Sequence, residues 1–411
     1  LIPLAVTAMA ACTALGILGV LPSKQVYAGL SNSTVVLFGG MFVIGAAMFK
    51  TGLAEAVGLW VVNKAGTKEV PLMGAIMVVT IVLSAVSSNT GTVACLMPVI
   101  VGIANAAHIP ASKELMPLAV AANVGGTITM IGTPPNVIVT GALSAAGLPS
   151  FGFFEFALIG VPLSVIVLAY MLTIGRKTIP IKSAGAMDAD AVEAAKKEAG
   201  AGDDDAPKSK TKMWISGLIL LGVVAAMALN LKTVPLQTAA VTGAILCVIT
   251  GCLKEKEAYA GIDWVTIFLF AGMLSVATAM DKTGAGKLIA DTVVGMMGEN
   301  PNPIVLCAVL YLISNVLTQF MSNTASAALL APIGISIAQS IGADPKPVLM
   351  SIGIAASMAF ATPMATPPNT LVLGPGGFNF NDYVKVGVPL CIITFIASVI
   401  IIPIFWPFFP G

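Results

Sequence analysis

Two short polar motifs occur twice in this chain, each time inside a long apolar run. Ser88-Asn89-Thr90 returns at Ser322-Asn323-Thr324, an offset of 234, and a proline follows each serine by ten residues, Pro98 and Pro332. Thr133-Pro134-Pro135-Asn136 returns at Thr366-Pro367-Pro368-Asn369, an offset of 233. Residues 37–52 (LFGGMFVIGAAMFKTG) match residues 269–284 (LFAGMLSVATAMDKTG) at 9 of 16 positions, an offset of 232. Three anchors at nearly one offset mark a duplication. Each motif also interrupts a helix. Adjacent prolines remove two backbone donors and collide with the preceding turn. Ser, Thr and Asn in mid-run favour caps and turns over helix interior.

Apolar stretches long enough to cross a bilayer lie near 1–20, 35–62, 71–106, 114–147, 154–175, 213–231, 236–252, 264–296, 303–341, 347–374 and 384–408. Hydrophobic residues make up 57% and charged ones 9%, against about 25% charge in soluble domains. This excludes an ordinary water-soluble enzyme, a nucleic-acid binder and a disordered chain. The net charge of +1 gives no field to draw a polyanion. The six cysteines form no CxxC pair and read as small buried hydrophobes. A lone histidine, His108, leaves no basis for a histidine metal site or proton relay.

The expected fold is an all-α polytopic membrane protein built from two inverted repeats, 1–178 and 234–411. Each repeat would hold a re-entrant helical hairpin (71–106, 303–341) and a Pro-Pro-broken helix (114–147, 347–374). Residues 176–212 carry 15 of the 39 charges and read as a solvated, hydrophilic cytoplasmic linker. The helix at 213–231 would open the second half. Its missing counterpart predicts at least one further helix ahead of Leu1. If the hairpins do not change sides, five crossings separate the two matching 16-residue stretches, and an odd number inverts the repeats. Placing the linker inside puts 14 basic residues in cytoplasmic segments and 3 outside, as the positive-inside rule asks.

Unwound backbone within a bilayer must be buried in protein or line a wet cavity. Two hairpin tips and two breaks, paired by the repeat, therefore point to one central polar cavity. Asn and Thr at the tips suit N-caps of the second arms, whose positive ends would face that cavity and favour anions. Hydroxyls, amides and exposed carbonyls there are also hard oxygen ligands for a small cation. No Lys, Arg, Asp or Glu lies within the motifs. An anion held without a cationic side chain needs dipoles and co-bound cations, so cation-coupled anion transport is expected. A channel would more naturally show charge rings, and an intramembrane hydrolase a nucleophile beside a base. No enzyme activity is expected.

The duplicated Ser-Asn-Thr and Thr-Pro-Pro-Asn pairs resemble those of the divalent anion:sodium symporter family, whose members carry di- and tricarboxylates and sulfate. Residues 322–332 (SNTASAALLAP) and 361–369 (ATPMATPPN) are similar to its bacterial dicarboxylate-transporting members. Residues 2–8 (IPLAVTA) are similar to the family's third membrane helix, which raises the expected missing helices to two. The resemblance implies a homodimer with a scaffold and an elevator-type transport domain, the split helices at 35–62 and 264–296 acting as arms. It implies substrate contacts from Ser88, Asn89, Thr90, Thr133, Pro134, Ser322, Asn323, Thr324, Thr366 and Pro367. It implies one sodium site of Ser84, Ser88, Asn89 and Gly132, and a second of Thr318, Met321, Asn323 and Ala365. Met321 stands where a smaller residue is usual.

The expected function is sodium-coupled symport of C4-dicarboxylates such as succinate, malate or fumarate, in a bacterial inner membrane. No covalent cofactor is expected; sodium is the coupling ion. Sodium-coupled sulfate or citrate symport and sodium-independent dicarboxylate exchange are the alternatives.

Overall fold

The computed structural model describes residues 3–66, 68–182, 189–198, 209–229, 233–297 and 302–409. Among these, every regular element is a helix. Seven helices are long and apolar enough to cross a membrane: Ser33–Lys50, Glu69–Val86, Asn89–Ala106, Ala157–Thr178, Lys210–Ala228, Trp264–Thr283 and Phe380–Phe405. Leu4–Ile17, Leu236–Ile249 and Pro303–Thr318 are shorter apolar helices.

The last of the seven shows which solvent it was built for. Val384, Val388, Ile392, Ile396, Ile400 and Ile404 recur every four residues and are all exposed. Thr394 and Ser398, on the other side, are fully buried. Apolar outside with small and polar inside is the pattern of a helix in lipid, where burial of leucine gains nothing and close packing does. Gly387 makes that packing possible. A Cβ there would lie 2.1 Å from Phe360 O, so the helix meets bare backbone ahead of Thr366.

The two matching 16-residue stretches each end at a glycine hinge. Gly52 (φ +81°) divides Ser33–Lys50 from Leu53–Ala65, and Gly284 (φ +73°) divides Trp264–Thr283 from Ala285–Met297. The left-handed backbone at both points is glycine's natural territory.

The hairpins fold as arm pairs. Glu69–Val86 and Asn89–Ala106 join at Ser87-Ser88; Pro303–Thr318 and Asn323–Ser340 join at residues 319–322. The broken helices are the innermost elements. Every residue of Ala111–Gly125 is buried, and so are nearly all of Pro345–Ser357. After an unwound stretch, Pro134–Ala145 and Pro367–Leu373 resume. The proline pairs open these second half-helices at N1 and N2, where their missing N–H groups cost nothing and their fixed φ suits the first turn.

The linker departs from expectation. Ala189–Glu198 is a helix packed on Asn89–Ala106, with Val192 and Ala195 buried. Its alanine-rich sequence favours helix, and an apolar spacing of three lets one face dock. Residues 183–188 and 199–208 of the linker lie outside the described residues. Lys182, at the linker's start, pairs with Asp382 at 2.5 Å, and Ser112 donates to Pro180 O at 2.8 Å. The linker is thus tied to the helical body at its first end.

Candidate functional site

A cavity of about 570 Å³ lies where both tips and both breaks meet. Ser88, Asn89, Thr90, Gly132, Thr133 and Pro134 line it from the first half. Ser322, Asn323, Thr324, Ala365, Thr366 and Pro367 line it from the second. Much of the other wall comes from Ser33–Lys50, through Phe38, Phe42 and Phe49, and from residues 260–266 and Leu269 around the start of Trp264–Thr283. Ser84 and Thr318 stand one layer deeper, fully buried, where each bonds a tip asparagine. Met321 does not line the cavity; its N–H closes a turn on Leu317 O at 3.0 Å.

The tips are capped by serine, where asparagine and threonine were expected. Ser88 Oγ accepts from Gly91 N at 3.3 Å and Ser322 Oγ accepts from Ala325 N at 3.1 Å. The helices begin at Asn89 and Asn323, and capping by serine leaves both amides for other partners.

Around Asn89 three oxygen-bearing groups converge. Its amide meets Ser84 Oγ, Ala122 O and Gly132 O, and Ser84 Oγ donates to Ala122 O at 2.9 Å. With nitrogen inward, the amide reaches Ser84 Oγ at 2.5 Å and Gly132 O at 3.0 Å, and every donor has an acceptor. With oxygen inward it accepts from Ser84 Oγ and completes an all-oxygen cage. Such a cage suits a hard cation of sodium's kind. Among the described residues no group of three His, Cys, Asp or Glu offers a metal site of another type.

Asn323 stands in the same arrangement. Thr318 Oγ1 donates to Ala356 O at 2.7 Å, and the amide meets Thr318 Oγ1 at 2.7 Å, Ala356 O at 3.1 Å and Ala365 O at 3.3 Å. One difference separates the clusters. The first contains Gly126, where a Cβ would lie 2.6 Å from Asn89 Oδ1, and Gly132, where it would lie 2.4 Å from Gly126 O. The matching positions in the second half are Ala359 and Ala365.

Asparagines of the Pro-Pro motifs brace the unwound loops in register. Asn136 Nδ2 donates to Thr129 O at 2.9 Å and to Gly126 O at 3.4 Å. Asn369 Nδ2 donates to Thr362 O and Ala359 O, both at 2.9 Å. Backbone groups that the break deprives of helical partners are satisfied in this way. The threonines opening the motifs differ. Thr366 Oγ1 donates to Asn123 Oδ1 at 3.3 Å, whereas Thr133 Oγ1 is buried on the cavity lining with no hydrogen-bond partner. Ser87 Oγ is likewise buried, cavity-lining and without a partner.

Four groups escaped the reading of the sequence. The carbonyls of Ala122 and Ala356 are main-chain atoms of unremarkable residues; the available signal was that each stands in the last turn of a half-helix ahead of a break, where carbonyls are open to side-chain donors. Asn123, one residue after Ala122, has no amide counterpart: Ser357, one residue after Ala356, bonds Gly353 O within its own helix. Asp263 lines the cavity although it lies outside every motif.

A cavity where two helix tips and two broken helices meet, inside a lipid-facing body, belongs to a membrane transporter. Solved transporters share the fold. Alcanivorax borkumensis YdaH matches with a TM-score of 0.68 at 14% identity, over 93% of this chain and 87% of that one. Neisseria gonorrhoeae MtrF, described among antimetabolite efflux pumps, matches with a TM-score of 0.64 at 15% identity, over 97% and 86%. The chain belongs to the citrate transporter family (CitMHS), whose model matches residues 1–348 and 320–410. Its relatives are transporters too, not enzymes. The sodium-dependent dicarboxylate transporter SdcS of Staphylococcus saprophyticus is 26% identical, over 98% of this chain and 82% of its own length. The Caenorhabditis elegans sodium-dependent high-affinity dicarboxylate transporter 3 is 27% identical, over 94% and 76%. The uncharacterized Escherichia coli transporter YfbS is 25% identical, over 95% and 93%.

Proposed function

We propose that this protein is a sodium-coupled symporter of C4-dicarboxylates. The observation that carries the reading is the pair of oxygen clusters at Asn89 and Asn323, both bordering a cavity with no Lys, Arg or His in its lining. A dianion entering it gains from the N-terminal ends of Asn89–Ala106, Asn323–Ser340 and Pro134–Ala145, from Thr133 Oγ1 and from Ser87 Oγ. Helix ends contribute about 0.3–2 kcal/mol each, too little to offset removing a dianion from water. A sodium ion about 4 Å from a carboxylate contributes about 4 kcal/mol at an effective dielectric constant of about 20. Sodium therefore decides whether the anion binds, and it loads first.

In this reading Ser84, Ser88, Asn89 and Gly132, joined by Ala122 O, hold one ion. Thr318, Asn323, Ala365 and Met321, joined by Ala356 O, hold the other. The repeats 1–178 and 234–411 are inverted, the hairpins re-enter from opposite faces, and the linker is cytoplasmic. Hairpins and broken helices move together as an elevator against a scaffold whose arms bend at Gly52 and Gly284. The protein is a homodimer of a bacterial inner membrane.

Uptake of labelled succinate into proteoliposomes, with sodium or choline outside, tests the coupling. Equal rates in both refute it. Citrate is the second substrate to compare, because the family model carries that description; competition by unlabelled succinate, citrate and sulfate ranks the anions. Counterflow with preloaded succinate separates exchange from symport.

A further inference from the structure

One ionisable side chain lines the cavity, and it has the wrong sign for an anion site. Asp263 lies beside Trp264 and Ile262 in the segment leading into Trp264–Thr283. Its Oδ1 accepts from Thr266 N at 3.0 Å and its Oδ2 accepts from Thr266 Oγ1. Both bonds are local. Among the described residues no salt bridge reaches its carboxylate. The side chain is only partly buried, and its negative charge has no cation among the cavity-lining residues to cancel it.

Capping alone does not call for that charge. Asn, Ser and Thr cap about as well as Asp. The matching helix of the first half, Ser33–Lys50, is capped by neutral Asn32, whose Oδ1 accepts from Thr34 N at 2.8 Å. Both hairpin tips are capped by serine. Of these four caps Asp263 alone is charged; Asp344, a second carboxylate cap, opens Pro345–Ser357 away from the cavity lining.

We infer that Asp263 is a specificity-determining electrostatic filter for the two co-substrates, an inference that rests on the sodium–dianion reading above. A fixed negative charge on the wall raises the local concentration of sodium and lowers that of the anion. The two effects are linked by valence. If the potential enriches a monovalent cation by some factor, it depletes a dianion by the square of that factor. Sodium is thereby favoured as the first ligand, and a dianion is retained only once the tip clusters hold their ions. At about 10 Å through water the factor is about two per unit charge, hence about four for a dianion. Mobile ions screen it over about 3 Å at 1 M ionic strength.

Asp263→Asn keeps an N-cap and removes the charge. In proteoliposomes at low ionic strength, the expected result is a succinate KM about four-fold lower and a sodium half-saturation about two-fold higher. Both differences disappear when choline chloride raises the ionic strength toward 1 M. Asp263→Ser should behave like the asparagine variant, and Asp263→Glu like the wild type. Parameters that worsen together, that do not move, or that persist in high salt overturn the inference and leave Asp263 a structural cap. If the wild type takes up no succinate in a sodium gradient, the transport reading itself fails and the filter falls with it.

Discussion

Asn123 Nδ2 donates to Asn369 Oδ1 at 3.0 Å, a bond between residues 246 positions apart. It joins the end of the first half's buried half-helix to the motif that opens the second half's resumed helix. The same asparagine accepts from Thr366 Oγ1, so one amide clamps the second break from the side of the first. The two breaks form one hydrogen-bonded body.

Asn123→Ala should therefore damage both halves at once. It leaves Asn369 Oδ1 without its donor and the Thr366 hydroxyl proton without its acceptor, in a site where Asn123 is 1% exposed. Each orphaned buried group costs about 1–3 kcal/mol. Thermal unfolding of the detergent-solubilised protein should shift down by several degrees, and uptake should fall. An unchanged midpoint would show that the clamp carries no load.

Asn89→Ala and Asn323→Ala should each abolish sodium-driven uptake while the protein stays folded. Each removes an amide that sits among three oxygens, and the serine caps that start the helices remain. Near-normal uptake by either variant in proteoliposomes would refute the assignment of that cluster.

Gly126→Ala should disable the first cluster selectively. The added methyl would lie 2.6 Å from Asn89 Oδ1 and 2.9 Å from Gly132 O, inside van der Waals contact. Sodium half-saturation should rise by tenfold or more, about 1.4 kcal/mol per decade. Ala359→Gly, at the matching position, should leave the sodium dependence within about two-fold of wild type. A reversal of that ranking counts against the geometry.

Thr133→Ala should weaken succinate binding more than sodium binding, because Thr133 Oγ1 has no protein partner and lines the cavity. Thr366→Ala should instead lower stability, since that hydroxyl is spent on Asn123 and Asn369. Isothermal titration with each ligand, beside a melting curve, separates the two effects.

Lys50, at the end of Ser33–Lys50 and two residues before Gly52, pairs with Glu257 at 3.3 Å. Partial burial pushes the Glu257 carboxyl up, but the Lys254 N–H and Lys50 outweigh it and hold it below the usual carboxylate range. A depressed carboxylate stabilises the fold above its unfolded pKa, near about 4.3, and the benefit is lost as pH falls through the lower folded value. Both side chains are partly exposed, so the pair contributes at most about 1 kcal/mol. Glu257→Gln should melt one or two degrees lower than wild type at pH 7, with the gap closing below about pH 4.

The breaks and tips were legible because adjacent prolines and a Ser-Asn-Thr run inside an apolar stretch declare themselves by type. Pro134-Pro135 cannot continue a helix, whereas the left-handed turns at Gly52 and Gly284 emerged only with the structure. The deeper half of each cluster was not legible. Ala122 and Ala356 contribute carbonyl oxygens, which no residue type encodes. Asp263 read as one of many charges at a membrane edge until the chain's path brought it to the cavity. The linker helix was overlooked because charge density outweighed the alanine content of residues 189–198.

The carbonyls at Ala122 and Ala356 also bear on how such a site can evolve. An alanine scan passes over both positions, and any residue placed there keeps the same oxygen. Natural variation at 122 and 356 is then governed by the space around two fully buried methyl groups, while the ligand itself is inherited unchanged. In the proposed ion site, selectivity drifts only through neighbours that move the backbone, and Gly125, packed on the Ile81 main chain, is the glycine nearest in sequence to Ala122.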